Sequence, residues 1–309
     1  MTSRKANLEN ELVAKSDVAA GLINAIYANG EQFVTARELR DAPMTAAYEA
    51  HGRIRSVTRD AVKYFVRNGR LECVFGFEVQ SRPDPLMAAR IAGYDGATYR
   101  GQMDDLALAR LGVGTDRVAP VFTATLYFGD EPWRTNLNLS DRATMSPEVA
   151  SVMSPFFTNA RILVVDFAGM SDEELSKYPN DIRIIAEYFR AKRQKIDYAP
   201  SQLEIVHKEL LCLFMEYVTG DERFNFKSLM TGYDKEPRTM CEILDRVENR
   251  GIKQGIEQGI EQGIKQERLR LSKEMAADLR QEGWSDEKIA NFLHVSVVDV
   301  RIWLDSPSE

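Results

Sequence analysis

Cysteine and histidine are scarce in this chain, with three of each in 309 residues. Cys73, Cys212 and Cys241 are widely spaced and odd in number, so neither a disulfide framework nor a cysteine zinc site is indicated. His51, His207 and His294 are equally scattered. A metal centre here must come mainly from carboxylates, which selects a hard cation such as Mg²⁺. His207 sits in an apolar helical run and reads as a packing residue rather than a ligand. No apolar run reaches the length of a membrane span. The opening MTSRKANLENEL lacks the apolar stretch of a secretory signal, so a cytoplasmic location with no membrane partner is expected. Positive charge is not in excess either. The net charge of −7 argues against bulk affinity for nucleic acid.

The distribution of charge says more than its total. Between residues 53 and 70 lie Arg53, Arg55, Arg59, Lys63, Arg67 and Arg70 against one acid, Asp60. Such a strip suits a phosphate-bearing substrate. The other reading is an edge strand whose charges block aggregation.

Within that region TRDAVKYFVRNGRLECVFGFEVQ (58–80) reads as a β-hairpin, because Asn68-Gly69 separates two β-rich runs. With a three-residue turn at 68–70, facing residue numbers sum to 138, and Asp60 lies opposite Glu78. Facing residues share a face, so Asp60, Glu78 and Gln80 cluster there. A two-residue turn alone gives 137 and breaks the alignment. A bulged or three-residue turn is therefore expected.

Helical spacing runs over 8–28 and ends at Asn29-Gly30. Residues 31–40 and 44–50 carry no clear pattern. After the SRPDP turn, a helix is expected from Leu86 to about Met103. Strands are expected at Val118–Phe128 and Ile162–Phe167. Strand, helix and strand in this order form a crossover if the strands are parallel. From 171 to about 240 the pattern is helical, with capping boxes read at Ser171…Glu174 and Ser201…Glu204.

Residues 251–266 repeat GIKQ-GIEQ-GIEQ-GIKQ. On a helix a four-residue period turns by about 40° per repeat, so the Ile and Gly stripes wind slowly round it. Glycine costs roughly 1 kcal/mol per position relative to alanine. Close approach of a second copy is one reading, and a flexible tether is the other. The tail 272–304 has the spacing of a helix-turn-helix. His294 stands where such turns usually carry Gly, and Ser296…Asp299 would cap the second helix. That helix holds Asp299 and Asp305 against Arg301, which suits packing or assembly better than reading a phosphate-lined groove.

Asp60 and Glu78 on one face, Gln80 two residues on and a basic flank make a plausible Mg²⁺ site. Metal-assisted chemistry on a phosphodiester is what such a set can support. Facing acids also occur on ordinary sheet surfaces.

The run RDAVKYFV…ECVFGFEVQSRPDPLMAARIAGYDGATY resembles the PD-(D/E)xK nuclease signature. Specifically, it resembles the recombination-promoting nuclease/transposase family. There the aspartate of an Arg-Asp pair matches Asp60, and the glutamate of a Glu-x-Gln motif matches Glu78. Gln80 stands where other superfamily members have lysine. Arg90 and Tyr94 match the spacing of the following helix. APVFTATLYFGDEPW (119–133), the GI(E/K)Q repeat and the IA..L.VS tail are similar to the family too. The resemblance covers nearly the whole chain.

It implies an α/β, restriction-endonuclease-like mixed sheet flanked by helices, with a helical C-terminal region. The sequence pattern divides the chain into a core over 1–170, a helical extension over 171–245, a Gly-Ile helix or tether over 246–271 and a small helical unit over 272–309. The resemblance further implies a Mg²⁺-dependent DNA endonuclease, other divalent cations being possible, linked to recombination or mobile elements. Asp60 and Glu78 would hold metal, and Gln80 would orient water or phosphate. Arg59 and Lys63 would meet the DNA backbone, with Arg90 and Tyr94 in support. An acid from the first helix, Glu11 or Asp17, would join the site. Homo-oligomers through 251–266 and its flanking helices are expected. Gln80 carries no charge and cannot act as a general base. The alternatives are a weak or inactive DNA-binding or assembly protein on the same scaffold, and a transposase that also joins strands.

Overall fold

The two β-rich runs either side of Asn68-Gly69 form the middle of the sheet. The computed structural model describes residues 4–50, 53–104, 106–113, 116–135 and 137–305. Two helices, α1 (Arg4–Ala14) and α2 (Ser16–Tyr27), open the chain. Three strands follow, β1 (Leu39–Asp41), β2 (Thr45–Ala50) and β3 (Arg53–Thr58). The hairpin consists of β4 (Ala61–Arg67) and β5 (Arg70–Gln80), and leads into α3 (Met87–Asp104) and the short α4 (Leu106–Ala109). Then come β6 (Val121–Tyr127), α5 (Pro147–Met153), β7 (Leu163–Asp166), α6 (Asp172–Leu175), α7 (Asn180–Gln194), α8 (Lys208–Thr219) and α9 (Phe226–Leu229). The last helices are α10 (Met240–Gln281), α11 (Asp286–Leu293) and α12 (Val297–Asp305).

The main sheet has the order β1-β4-β5-β6-β7, while β2 and β3 pair separately. The β1–β4 and β4–β5 pairs are antiparallel, and β5, β6 and β7 run parallel. The fold is thus α/β, with an open mixed sheet, flanking helices and a helical C-terminal region. The strand–helix–strand unit β5–α3–β6 meets the parallel condition for a crossover.

Asn68 and Gly69 are both left-handed, with φ of 52° and 75°. They make a two-residue turn in which Arg67 faces Arg70. The register then shifts between Val66, which faces Leu71, and Phe65, which faces Cys73. Glu72 is the extra residue of a bulge. Beyond it facing numbers sum to 138, with Ala61 opposite Phe77. Asp60 is next in line for Glu78, and the bulge is what brings the two together.

Several elements differ from the periodicity. The first helical run breaks at Lys15, whose extended backbone caps α2. Helix does not begin at Ser201, because its N–H and hydroxyl donate to the Glu187 carboxylate at 3.1 and 2.8 Å. Strand pairing of β6 begins at Val121, and before it the Gln102 side chain exchanges both amide bonds with Ala119. The Ser171…Glu174 box is present, with both bonds formed. His207 is a packing residue: its Nδ1 lies 2.8 Å from buried Asp181, which also accepts from the Val206 and His207 amides.

The chain divides into compact units at residues 1–244 and 245–309, a boundary inside α10. In the second unit the Gly-Ile repeat is helical throughout. Its tail packs Ala276, Ile289, Ala290 and Val300 around Trp284 and Trp303. His294 takes the left-handed turn position at φ 54°, and Ser296 caps α12 through the Asp299 amide at 3.0 Å.

Candidate active site

Side-chain alternation puts Gly76, Glu78 and Gln80 of β5 on one face, alongside Thr123, Thr125 and Tyr127 of β6. Helix α3 packs against β6. The site thus forms at the carboxyl ends of parallel strands, where open α/β sheets characteristically bind ligands.

Asp60 lies in the bend before β4. Its Oδ2 accepts from the Val79 amide at 2.8 Å and its Oδ1 from Asn10 Nδ2 at 2.7 Å. Burial raises its pKa, against the lowering effect of those two bonds. Glu78 is only 1% exposed. Burial first and the Asp60 charge second push its pKa up to about 8, although Arg59 and Arg90 pull it down. Arg59 Nε lies 3.6 Å from one Glu78 oxygen and Arg90 Nη2 lies 3.9 Å from the other. Neither distance makes a hydrogen bond. Glu78 Oε1, Arg59 Nε, Asn10 Oδ1 and Thr125 Oγ1 are all buried with no hydrogen-bond partner among the described residues. Buried oxygens without donors carry a desolvation cost that a cation would offset.

Gln80 closes β5 opposite Tyr127 and is half-buried. Its main-chain oxygen accepts from the Phe128 amide at 2.9 Å. Arg90 and Tyr94 are one turn apart on α3, with Arg90 Nη2 donating to the Tyr94 hydroxyl at 3.1 Å. Arg90 Nη1 also donates to Asp84 at 2.7 Å, yet the side chain keeps 39% of its surface exposed.

Two expected DNA contacts need correction. Arg59 is 4% exposed and Lys63 2%. The Arg59 guanidinium donates to Asp95 at 2.9 Å, to Thr98 at 3.0 Å and to Thr123. Lys63 pairs with Asp41. Arg67 is likewise held by Glu38 at 2.7 Å. Arg59 and Lys63 are therefore buried against acids distant in sequence, while Arg67, with 36% of its side chain exposed, is tied to Glu38 near the surface. The first helix contributes Asn10 to Asp60, while Glu11 is exposed near Lys15 and Asp17 lies 3.5 Å from His207. Asn10 carried no sequence signal, since an amide in a helical run has many ordinary uses.

Arg59 can cross the sheet because residue 76 has no side chain. A Cβ there would collide with the guanidinium and crowd Thr123. Gly76→Ala is expected to expel Arg59 and destabilise the fold by about 1–3 kcal/mol. Chemical denaturation checks this, and unchanged stability would refute the packing role of Gly76.

The donors fit a hard divalent cation: two carboxylates, with the amides of Asn10 and Gln80 near them on the same site and no His or Cys beside them among the described residues. Among the described residues, no group of three or more His, Cys, Asp or Glu is placed to hold a metal. Any cation would rest on the pair, as Mg²⁺ does when water and phosphate complete its shell.

Two acids thus sit at the carboxyl end of a central strand of an open α/β sheet, beside a partly exposed arginine. Residues 67–222 match the family described as "Putative transposase, YhgA-like", and the chain belongs to this family. The matched half contains Glu78, Gln80, Arg90 and Tyr94 and begins after Asp60. No curated protein and no solved structure matches the chain.

Proposed function

We propose that this transposase-family protein is a Mg²⁺-dependent DNA endonuclease of the PD-(D/E)xK type, acting in recombination or mobile-element processes. The observation that carries the reading is Glu78: a buried acid, one of whose oxygens takes no hydrogen bond, beside a second carboxylate at the end of a strand. Asp60 and Glu78 would hold the cation. When bound, it supplies Lewis acidity at a phosphate oxygen and lowers the pKa of its water. Gln80 orients water or phosphate through its amide and moves no proton. Arg90, partly exposed and braced by Asp84 and Tyr94, meets the phosphate in place of the buried Arg59 and Lys63. Arg59 joins β5, β6 and α3 and so positions Glu78. Plasmid nicking by purified protein tests the reading. Cleavage with Mg²⁺ that stops in EDTA is expected, and cleavage indifferent to EDTA would refute it.

The repeat helix supports self-association. Ile252, Ile256, Ile260 and Ile264 are each more than half exposed. They form one slowly winding stripe beside glycines that allow close approach. The Glu261–Lys265 pair, at 2.7 Å, is exposed to solvent and adds little. Replacing the four isoleucines by glutamine is expected to reduce the mass seen by light scattering. An unchanged mass would remove the repeat as the contact.

A further inference from the structure

The sheet face opposite Glu78 carries a cavity of about 630 Å³ walled by aromatic rings. Phe75 and Phe122 are register partners on β5 and β6. Phe65 faces Cys73, two residues along from Phe75 on the same face. Tyr27 from the end of α2 and Phe33 from the following loop add two further rings, and Arg67, Glu72, Cys73 and Pro120 complete the lining. Ring centres lie 5.4 Å apart for Tyr27–Phe75, 5.9 Å for Phe75–Phe122 and 5.6 Å for Phe33–Phe65. Phe33 and Phe122 keep 47% and 43% of their surface exposed.

The rings are fixed in place. The Phe33 amide donates to Asn24 at 3.0 Å and its carbonyl accepts from Arg67 Nη2 at 2.6 Å. Arg67 Nε donates to Glu38, and the guanidinium lies 4.8 Å from the Phe65 ring centre and 5.3 Å from that of Phe33. Arg67 Nη1 takes no part in these bonds.

These features constrain the occupant. A cavity of this size suits a single small group rather than a helix. A wholly apolar occupant would strip water from Arg67 Nη1 and return no acceptor. A planar heterocycle offers a face to the rings and edge acceptors to the guanidinium. We infer that this cavity binds an unpaired nucleobase of single-stranded DNA, stacked on the exposed rings of the aromatic wall and receiving a hydrogen bond from Arg67. The inference rests on the DNA reading above but not on cleavage.

The test is binding in EDTA of a short single-stranded oligonucleotide carrying 2-aminopurine, followed by anisotropy and by quenching of the base. Wild type is expected to bind and to quench. Phe122→Ala and Phe33→Ala, both at exposed positions, are expected to lose affinity by roughly 5- to 150-fold, the range of one stacked base, and to lose the quenching. Binding of duplex plasmid should be unchanged. Equal affinity and quenching in the variants would overturn the site. So would parallel loss of duplex binding, or a dimer of the wild type that Phe122→Ala dissolves. Quenching without nicking would leave this inference standing and remove the nuclease reading. Nicking without quenching would do the reverse.

Discussion

Glu78→Gln is expected to lower Mg²⁺-dependent plasmid nicking on the order of 100-fold or more, because it removes one of the two carboxylates proposed to hold the cation. The substitution keeps the size and shape of a side chain that is 1% exposed, so the loss would not reflect a cavity. Asp60→Asn should have a similar effect, although the Val79 amide can still find an acceptor there. Gln80→Ala should cost less, since the Gln80 amide only orients its partners. A Glu78→Gln protein that cuts at the wild-type rate would remove Glu78 from the chemistry altogether.

The second large effect is on stability in the absence of metal. The Glu78 pKa is about 8 in the fold, against an ordinary value of 4.5. Between those values the folded protein holds a proton that the unfolded chain has released. Unfolding therefore releases a proton, and stability falls as pH rises through this window. Below it both states are protonated and the contribution is fully present. Above about pH 8 the acid is ionised in both states, and the cost of a buried charge is complete. Asp60, raised in the same direction, adds to the slope. EDTA-treated protein is expected to lose on the order of 3 kcal/mol between about pH 5 and about pH 9, or roughly 5–10 °C in Tm. Glu78→Gln should flatten the profile and melt higher than wild type at alkaline pH. A profile unchanged by the substitution would mean that Glu78 is not the group responsible.

The hairpin and the facing of its acids were legible because each rests on local rules. Asn-Gly specifies a two-residue turn, and the wish to align Asp60 with Glu78 demands a bulge, which appears at Glu72. His294 could be read as the left-handed turn of the tail for a similar reason, since its neighbours already had helix-turn-helix spacing. The basic strip misled because a run of cations says nothing of its partners. Asp41, Glu38 and Asp95 come from outside the hairpin and tie Lys63, Arg67 and Arg59 to other parts of the chain. Asn10 reaches Asp60 across fifty positions of sequence, a contact that only tertiary packing makes. The Ser201 box failed on the same ground, because Glu187 supplied a better acceptor than the start of a helix.

Whether Asp60 and Glu78 hold a divalent cation is most directly tested by Mn²⁺ soaked into crystals of the protein. An anomalous peak between the two carboxylates, absent in Glu78→Gln crystals, is the predicted result. A peak elsewhere, or none at this pair in a protein that nicks DNA with Mn²⁺, would contradict the account.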